Sequence, residues 1–197
     1  MRFGLLDRNP ATDIVVPRVP RKDVEPLSVP QAEQLLKTAS AMPLYAFYVL
    51  ALVTGARRGE LLGLKWTDVD LATGRLTITR SLQRVEKLGL QLTETKSRAA
   101  NRTVILPNFA IAALRSHHKV QLRQRLISGP DWRDGNFIFT ARDGQPVEPN
   151  SMHRIFKRLL KQAALPAQIR FHDLRHSAAS LLIAKGVPLK LTGIART

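Results

Sequence analysis

From Ser28 onward the apolar residues fall into helical and then strand periods. Ser28 can cap a helix whose first turn holds Pro30 and Gln31, with Leu35 and Leu36 on its apolar face. Leu44 to Val53 is apolar on most sides and predicts a buried helix. After Thr54-Gly55 a short helix is expected over Arg57–Leu64, then a turn from Asp68 to Gly74. Leu76 and Ile78, Leu90 and Leu92, and Val104 and Leu106 alternate with polar residues, which predicts one small antiparallel sheet. Asn108 is placed to cap a long helix from Phe109 to about Ile127, and Phe137–Phe139 reads as a short strand before a turn at Asp143-Gly144. A basic helix follows from Asn150 or Ser151 to about Ala164. The last helix runs from near Phe171 to Lys185, with Gly186 as a left-handed cap. The fold class is therefore mainly α with a small antiparallel β-sheet. Residues 1–27, with Pro10, Pro17, Pro20 and Pro26 among mixed charges, read as a linker to a folded unit over 28–197.

Charge sharpens this picture. The 197 residues hold 31 Lys and Arg against 15 Asp and Glu, a formal net charge of +16. Such an excess favours a polyanionic partner, because each phosphate contact releases condensed counterions. Nucleic acid is the leading candidate, and a basic RNA-binding protein would share the profile. There is no cysteine, hence no disulfide framework and no thiolate metal site, in keeping with a reducing cytoplasm. Met1–Asp7 has no signal-peptide stretch, and Leu44–Val53 is about half the length a bilayer span needs. A cytoplasmic, membrane-free protein is expected.

Three segments can carry chemistry. In Thr54-Gly55-Ala56-Arg57-Arg58-Gly59-Glu60, Gly55 permits a sharp turn, and Arg57 and Glu60 lie three apart on one helix face. By itself this is equally a surface ion pair at a helix start. Thr95-Lys96-Ser97-Arg98, with Arg102-Thr103-Val104 on the return strand, reads as a hairpin with a basic tip, either solvated or touching phosphate. In Phe171-His172-Asp173-Leu174-Arg175-His176, His172 and Arg175 share a face, while Leu174, Ala178, Leu181 and Leu182 can point inward. An imidazole beside a guanidinium makes an anion clamp that needs no metal. His172 and His176, four apart, also approach the zinc-protease helix pattern. Arg175 beside a dication, and Asp173 where that pattern has Glu, argue against it. His176 is expected as a hydrogen-bonded core residue or a support to the site.

In order and spacing, Thr-Gly-x-Arg-x-x-Glu, the hairpin lysine and His-x-Leu-Arg-His resemble the motifs of the tyrosine recombinases. Asn9-Pro10-Ala11 and Gly63-Leu64-x-Trp66-x-Asp68-x-Asp70 resemble phage integrases, and the likeness runs from about residue 8 to about residue 190. The resemblance implies the catalytic-domain fold of these DNA breaking-rejoining enzymes. It implies that Arg57 and Arg175 hold the scissile phosphate, that Lys96 protonates the departing 5′ oxygen, and that His172 donates to a phosphate oxygen. Glu60 and His176 would support the site, and a tyrosine would attack to give a 3′-phosphotyrosyl intermediate. The implied partner is duplex DNA at recombination sites, with homo-oligomers assembled on it, and neither cofactor nor metal is implied.

Two departures qualify these expectations. Leu191–Thr197 leave the family's Leu-Gly-His pattern, and the only tyrosines are Tyr45 and Tyr48, which precede the first arginine motif. No nucleophile is therefore expected in this chain, and it reads as a catalytic domain lacking its C-terminal part and the helical domain that precedes it. The alternative is a non-catalytic DNA-binding remnant of an integrase. A type IB topoisomerase shares the chemistry but fits the linker and the Thr-Gly-x-Arg box less well.

Overall fold

A computed structural model describes residues 26–94 and 101–184, with side chains as far as Ala178. These residues hold six α-helices, α1 Val29–Ala39, α2 Tyr45–Thr54, α3 Arg58–Leu62, α4 Asn108–Ser128, α5 Pro149–Gln162 and α6 Asp173–Ala184, with α2 at the centre, and five short strands. The strands are β1 Val69–Asp70, β2 Arg75–Ile78, β3 Arg80–Val85, β4 Gly89–Glu94 and β5 Arg102–Ile105.

The helix α1 starts as its sequence predicts. Ser28 Oγ accepts from the Gln31 amide at 3.4 Å, and Gln31 Oε1 accepts from the Ser28 amide at 2.9 Å, so two end donors are satisfied reciprocally. In α2 every residue after Tyr45 is buried. Phe47 meets Phe139 edge-to-face at 5.0 Å and Phe171 at 5.3 Å, so this helix is the axis of the core. It stops at Gly55, whose φ of 57° is the left-handed conformation that ends helices. On α6, Leu174 and Ala178 point inward as expected. Leu181, Leu182 and Gly186 lie outside the side chains or residues described.

The strands depart from the expected single sheet. β2 pairs with β1 on one side and β5 on the other, whereas β3 and β4 form a separate two-stranded ribbon. Leu90 is only half-buried, against the edge of the core, and Leu92 is exposed, so their alternation does not mark a strand buried in the core. Arg80–Val85, half charged or amide, gives no apolar signal for β3. Phe137–Phe139 forms only a bridge, Lys65 to Phe137, because Gln121 Nε2 takes the Phe137 and Ile138 carbonyls, each at 3.0 Å.

Helix starts also shift. Arg57 caps α3 rather than entering it, and α3 ends at Leu62. Pro107, with no side-chain cap, precedes α4, so Asn108 is its first residue instead of its cap. α5 starts at Pro149, whose fixed φ suits a first helical position. α6 starts at Asp173, with Phe171 and His172 in the turn before it. The expected linker gives way to packed chain by Leu27, which is buried and whose amide donates to Ser177 Oγ at 2.7 Å.

Candidate nucleic-acid interface

The site is built at the turn between α2 and α3. Glu60 Oε2 accepts from the Arg57 amide at 3.0 Å, and Oε1 accepts from Arg57 Nη1 at 3.1 Å. Arg102 Nη2 reaches Oε2 from β5 at 2.8 Å. The carboxylate is 1% exposed, whereas the Arg57 side chain is 59% exposed and that of Arg102 12%. The Arg57–Glu60 pair is therefore not a solvated surface contact, since its acidic half is enclosed. Burial alone would raise the Glu60 pKa. Hydrogen bonds from Arg102 and the Arg57 amide, with the Arg102 charge, outweigh it and hold the carboxyl below its ordinary value.

This close packing depends on Gly59. A Cβ there would lie 2.5 Å from Ser81 Oγ and 2.8 Å from the Leu82 carbonyl oxygen, so glycine lets α3 lie against β3.

Arg175 comes to the same place from α6. Its Nη1 donates to the Gly55 carbonyl oxygen at 2.6 Å, so the turn that ends α2 anchors a residue 120 positions away. Burial, then the charges of Arg102 and Arg57, push the Arg175 pKa down, with Glu60 opposing. A guanidinium starts so far above neutrality that it stays charged. Arg57, Arg102 and Arg175 thus share one neighbourhood with the enclosed Glu60 carboxylate.

His172 is exposed just before α6, and its ring meets that of His176 edge-on at 5.1 Å. Desolvation, then the charges of His176 and Arg175, lower its pKa. His176 is exposed and not a core residue. The i, i+4 spacing lays it over His172 on the outer face, and Leu174, Ser177 and Ala178 take the inward positions. Asp173 accepts from the Arg170 amide at 2.8 Å and from Arg170 Nη2 at 2.9 Å, which ties down the turn carrying His172. From α5, Lys157 Nζ donates to the Ala167 and Ile169 carbonyls at 2.6 and 3.0 Å and braces the same segment.

Of the expected site residues, Arg57, Glu60 and Arg175 come together, and His172 and His176 flank Arg175. Lys96 lies outside the described residues. The hairpin drawn through it is not what its flanks form: β4 pairs with β3, and β5 pairs with β2. Arg102 was visible only as part of that hairpin. Its signal was position, because it shares the inward face of β5 with Val104, two residues on, and an inward charge requires a partner. Among the described residues no three His, Asp or Glu side chains are grouped to hold a metal ion, and no helix is long and apolar enough to cross a membrane. A cleft lined by Trp66, Gln121, Trp132 and Phe137 sits beside α4 and includes none of the arginine cluster.

Residues 25–192 match the phage integrase family. An integrase of Saccharopolyspora erythraea is 30% identical over 94% of this chain and 54% of its own length. A XerC-like tyrosine recombinase of Caldanaerobacter subterraneus is 31% identical over 95% of this chain and 52% of its own. The chain spans about half the length of the curated relatives it matches. Among solved structures, the Tn1549 transposon integrase in complex with transposon right end DNA superposes with a TM-score of 0.75, at 22% identity, over 97% of this chain and 65% of that one. The XerA recombinase does so with a TM-score of 0.67, at 25% identity, over 90% and 58%. These structures share the mainly helical fold with its small antiparallel strands, that of tyrosine recombinase catalytic domains. On the match across residues 25–192, the chain belongs to the phage integrase family.

Proposed function

We propose that this chain supplies the phosphate-gripping catalytic face of a site-specific DNA recombinase and that its partner is duplex DNA at recombination sites. The observation carrying this reading is the convergence of Arg57, at the cap of α3, and Arg175, from α6, beside the enclosed Glu60. Two guanidiniums with planar donors suit the non-bridging oxygens of a phosphodiester and the extra charge of its pentacoordinate transition state. His172 would donate to a phosphate oxygen from the adjoining turn, and Lys96 would protonate the leaving 5′ oxygen. Glu60 holds Arg57 in place, and His176 packs on His172. In a recombinase of this kind a tyrosine would form the 3′-phosphotyrosyl bond, within an oligomer on DNA.

The 197 residues by themselves are proposed to bind DNA without cleaving it, the behaviour also expected of a non-catalytic remnant. Tyr48 is fully buried, stacked on Phe156 at 6.1 Å, and burial raises its pKa above the ordinary tyrosine value. Tyr45 opens α2 while the arginine turn follows that helix's end, roughly 15 Å away at 1.5 Å per residue. Neither phenol is therefore proposed as the attacking group.

Binding of a labelled duplex across a salt series tests this reading. Affinity should fall steeply with salt, each phosphate contact adding about 0.9 to the log–log slope. Replacing Arg57 and Arg175 together with Ala should lower both affinity and slope. A nicked suicide duplex should give no covalent adduct with the chain alone. Salt-independent binding, a double variant that binds like the parent, or an adduct would each overturn it.

A further inference from the structure

We propose that Arg102 is a positioning residue of this site: locked to Glu60 Oε2, it holds the carboxylate that holds Arg57. The proposal rests on the phosphate-gripping role given above to Arg57 and Arg175. Glu60 receives Arg57 on one side and Arg102 on the other, with Arg102 the shorter contact at 2.8 Å and the more enclosed partner. β5 fixes Arg102 through its register with β2, where Ile78 lies opposite it and is itself fully buried. The strand therefore presents a guanidinium whose position is set by the sheet. Arg57, by contrast, is mostly exposed.

Charge explains why a cation must stand there. An enclosed carboxylate with only the exposed Arg57 as partner would face its full desolvation cost and would protonate more readily. A protonated Glu60 would keep at most one acceptor for Arg57 and no charge to hold it. Arg102 removes that weakness without using Arg57, whose outward donors remain available for phosphate.

Among the described residues, the charged groups around Glu60 are Arg57 at the start of α3, Arg102 from β5 and Arg175 from α6. Of the elements packed on α3, β3 carries Arg80 and Arg84, tied to Asp68 and Glu148. In α5, Lys157 is tied to the Ala167 and Ile169 carbonyls, and α2 carries only Tyr45 and Tyr48.

The test pairs two readouts on the full chain. The first is the side-chain carboxyl ¹³C resonance of Glu60, assigned with E60Q and followed with pH in wild type, R102M and R102K. Glu60 should titrate below the ordinary glutamate range in wild type, above it in R102M, and in between in R102K. Should R102M fail to fold, R102Q, which keeps a donor for Oε2 but no charge, carries the same comparison. The second readout is duplex affinity at pH 7.5 and 5.5, taken as the ratio of variant to wild type so that His172 protonation cancels. That ratio should fall by about threefold or more on acidification for R102M and by less for R102K. An unchanged Glu60 titration, or a ratio that does not move with pH, would overturn the proposal. If Glu60 shifts as expected but R57A binds the duplex as wild type does at both pH values, the phosphate-gripping reading fails instead.

Discussion

Replacing Glu60 with Gln keeps the size of the side chain and removes its charge. The carboxylate accepts three hydrogen bonds, from the Arg57 amide, Arg57 Nη1 and Arg102 Nη2. A glutamine offers one oxygen, and its amide nitrogen must then face a guanidinium donor. Hydrogen bonds to charged groups contribute roughly 1.5–3 kcal/mol each. The Arg57 Nη1 contact, with its side chain 59% exposed, is discounted to a few tenths on the scale of surface pairs. The nearly enclosed Arg102 contact keeps most of its value, so the loss should be about 2–3 kcal/mol at neutral pH. For a domain of this size that corresponds to a Tm lower by roughly 4–12 °C. The sign with pH follows from the lowered Glu60 pKa. Its stabilisation is present above the ordinary carboxylate pKa and is lost as pH falls through the depressed folded value. Urea unfolding followed by circular dichroism, at pH 7.5 and at successively more acid pH, should show a gap between wild type and E60Q that closes in acid. A gap below about 0.5 kcal/mol at pH 7.5, or one that persists unchanged in acid, would refute the reasoning.

Two further substitutions test the frame around the site. Gly59→Ala should destabilise by about 1–3 kcal/mol in urea unfolding, because the Leu82 carbonyl at 2.8 Å is backbone and cannot swing away; adding Ser81→Ala should restore little. Ser177→Ala should cost about 1–3 kcal/mol, since it leaves the buried Leu27 amide without its acceptor, and exchange of that amide should quicken.

The helices were legible because their signals are local. The Ser28–Gln31 box, the apolar run of α2 and the glycine that ends it depend on neighbours within a turn or two. Strand pairing was not. β4 alternates like a core strand yet faces mostly solvent, and β3 has no apolar pattern at all, so one sheet was expected where a sheet and a ribbon form. The same limit applied to the site. Arg57, Glu60, His172 and Arg175 sit in motifs whose order signals a shared purpose, and Arg57, Glu60 and Arg175 do meet. Arg102 completes the cluster through strand register, which links β5 to β2 across 24 or more residues and leaves no local mark beyond an inward-facing charge. The core reading of His176 failed, while its place beside His172 did not, because helical spacing set it over His172 but did not say which face met water.

The most direct test of the central claim is to watch the guanidinium ¹⁵N–¹H resonances of Arg57 and Arg175, assigned with R57K and R175K, as a duplex is titrated into the labelled chain at low salt. Both should shift in step with the binding curve measured independently and return when salt is raised. Binding with both resonances unmoved, while arginines elsewhere on the surface shift, would contradict the claim that this cluster grips the DNA phosphate.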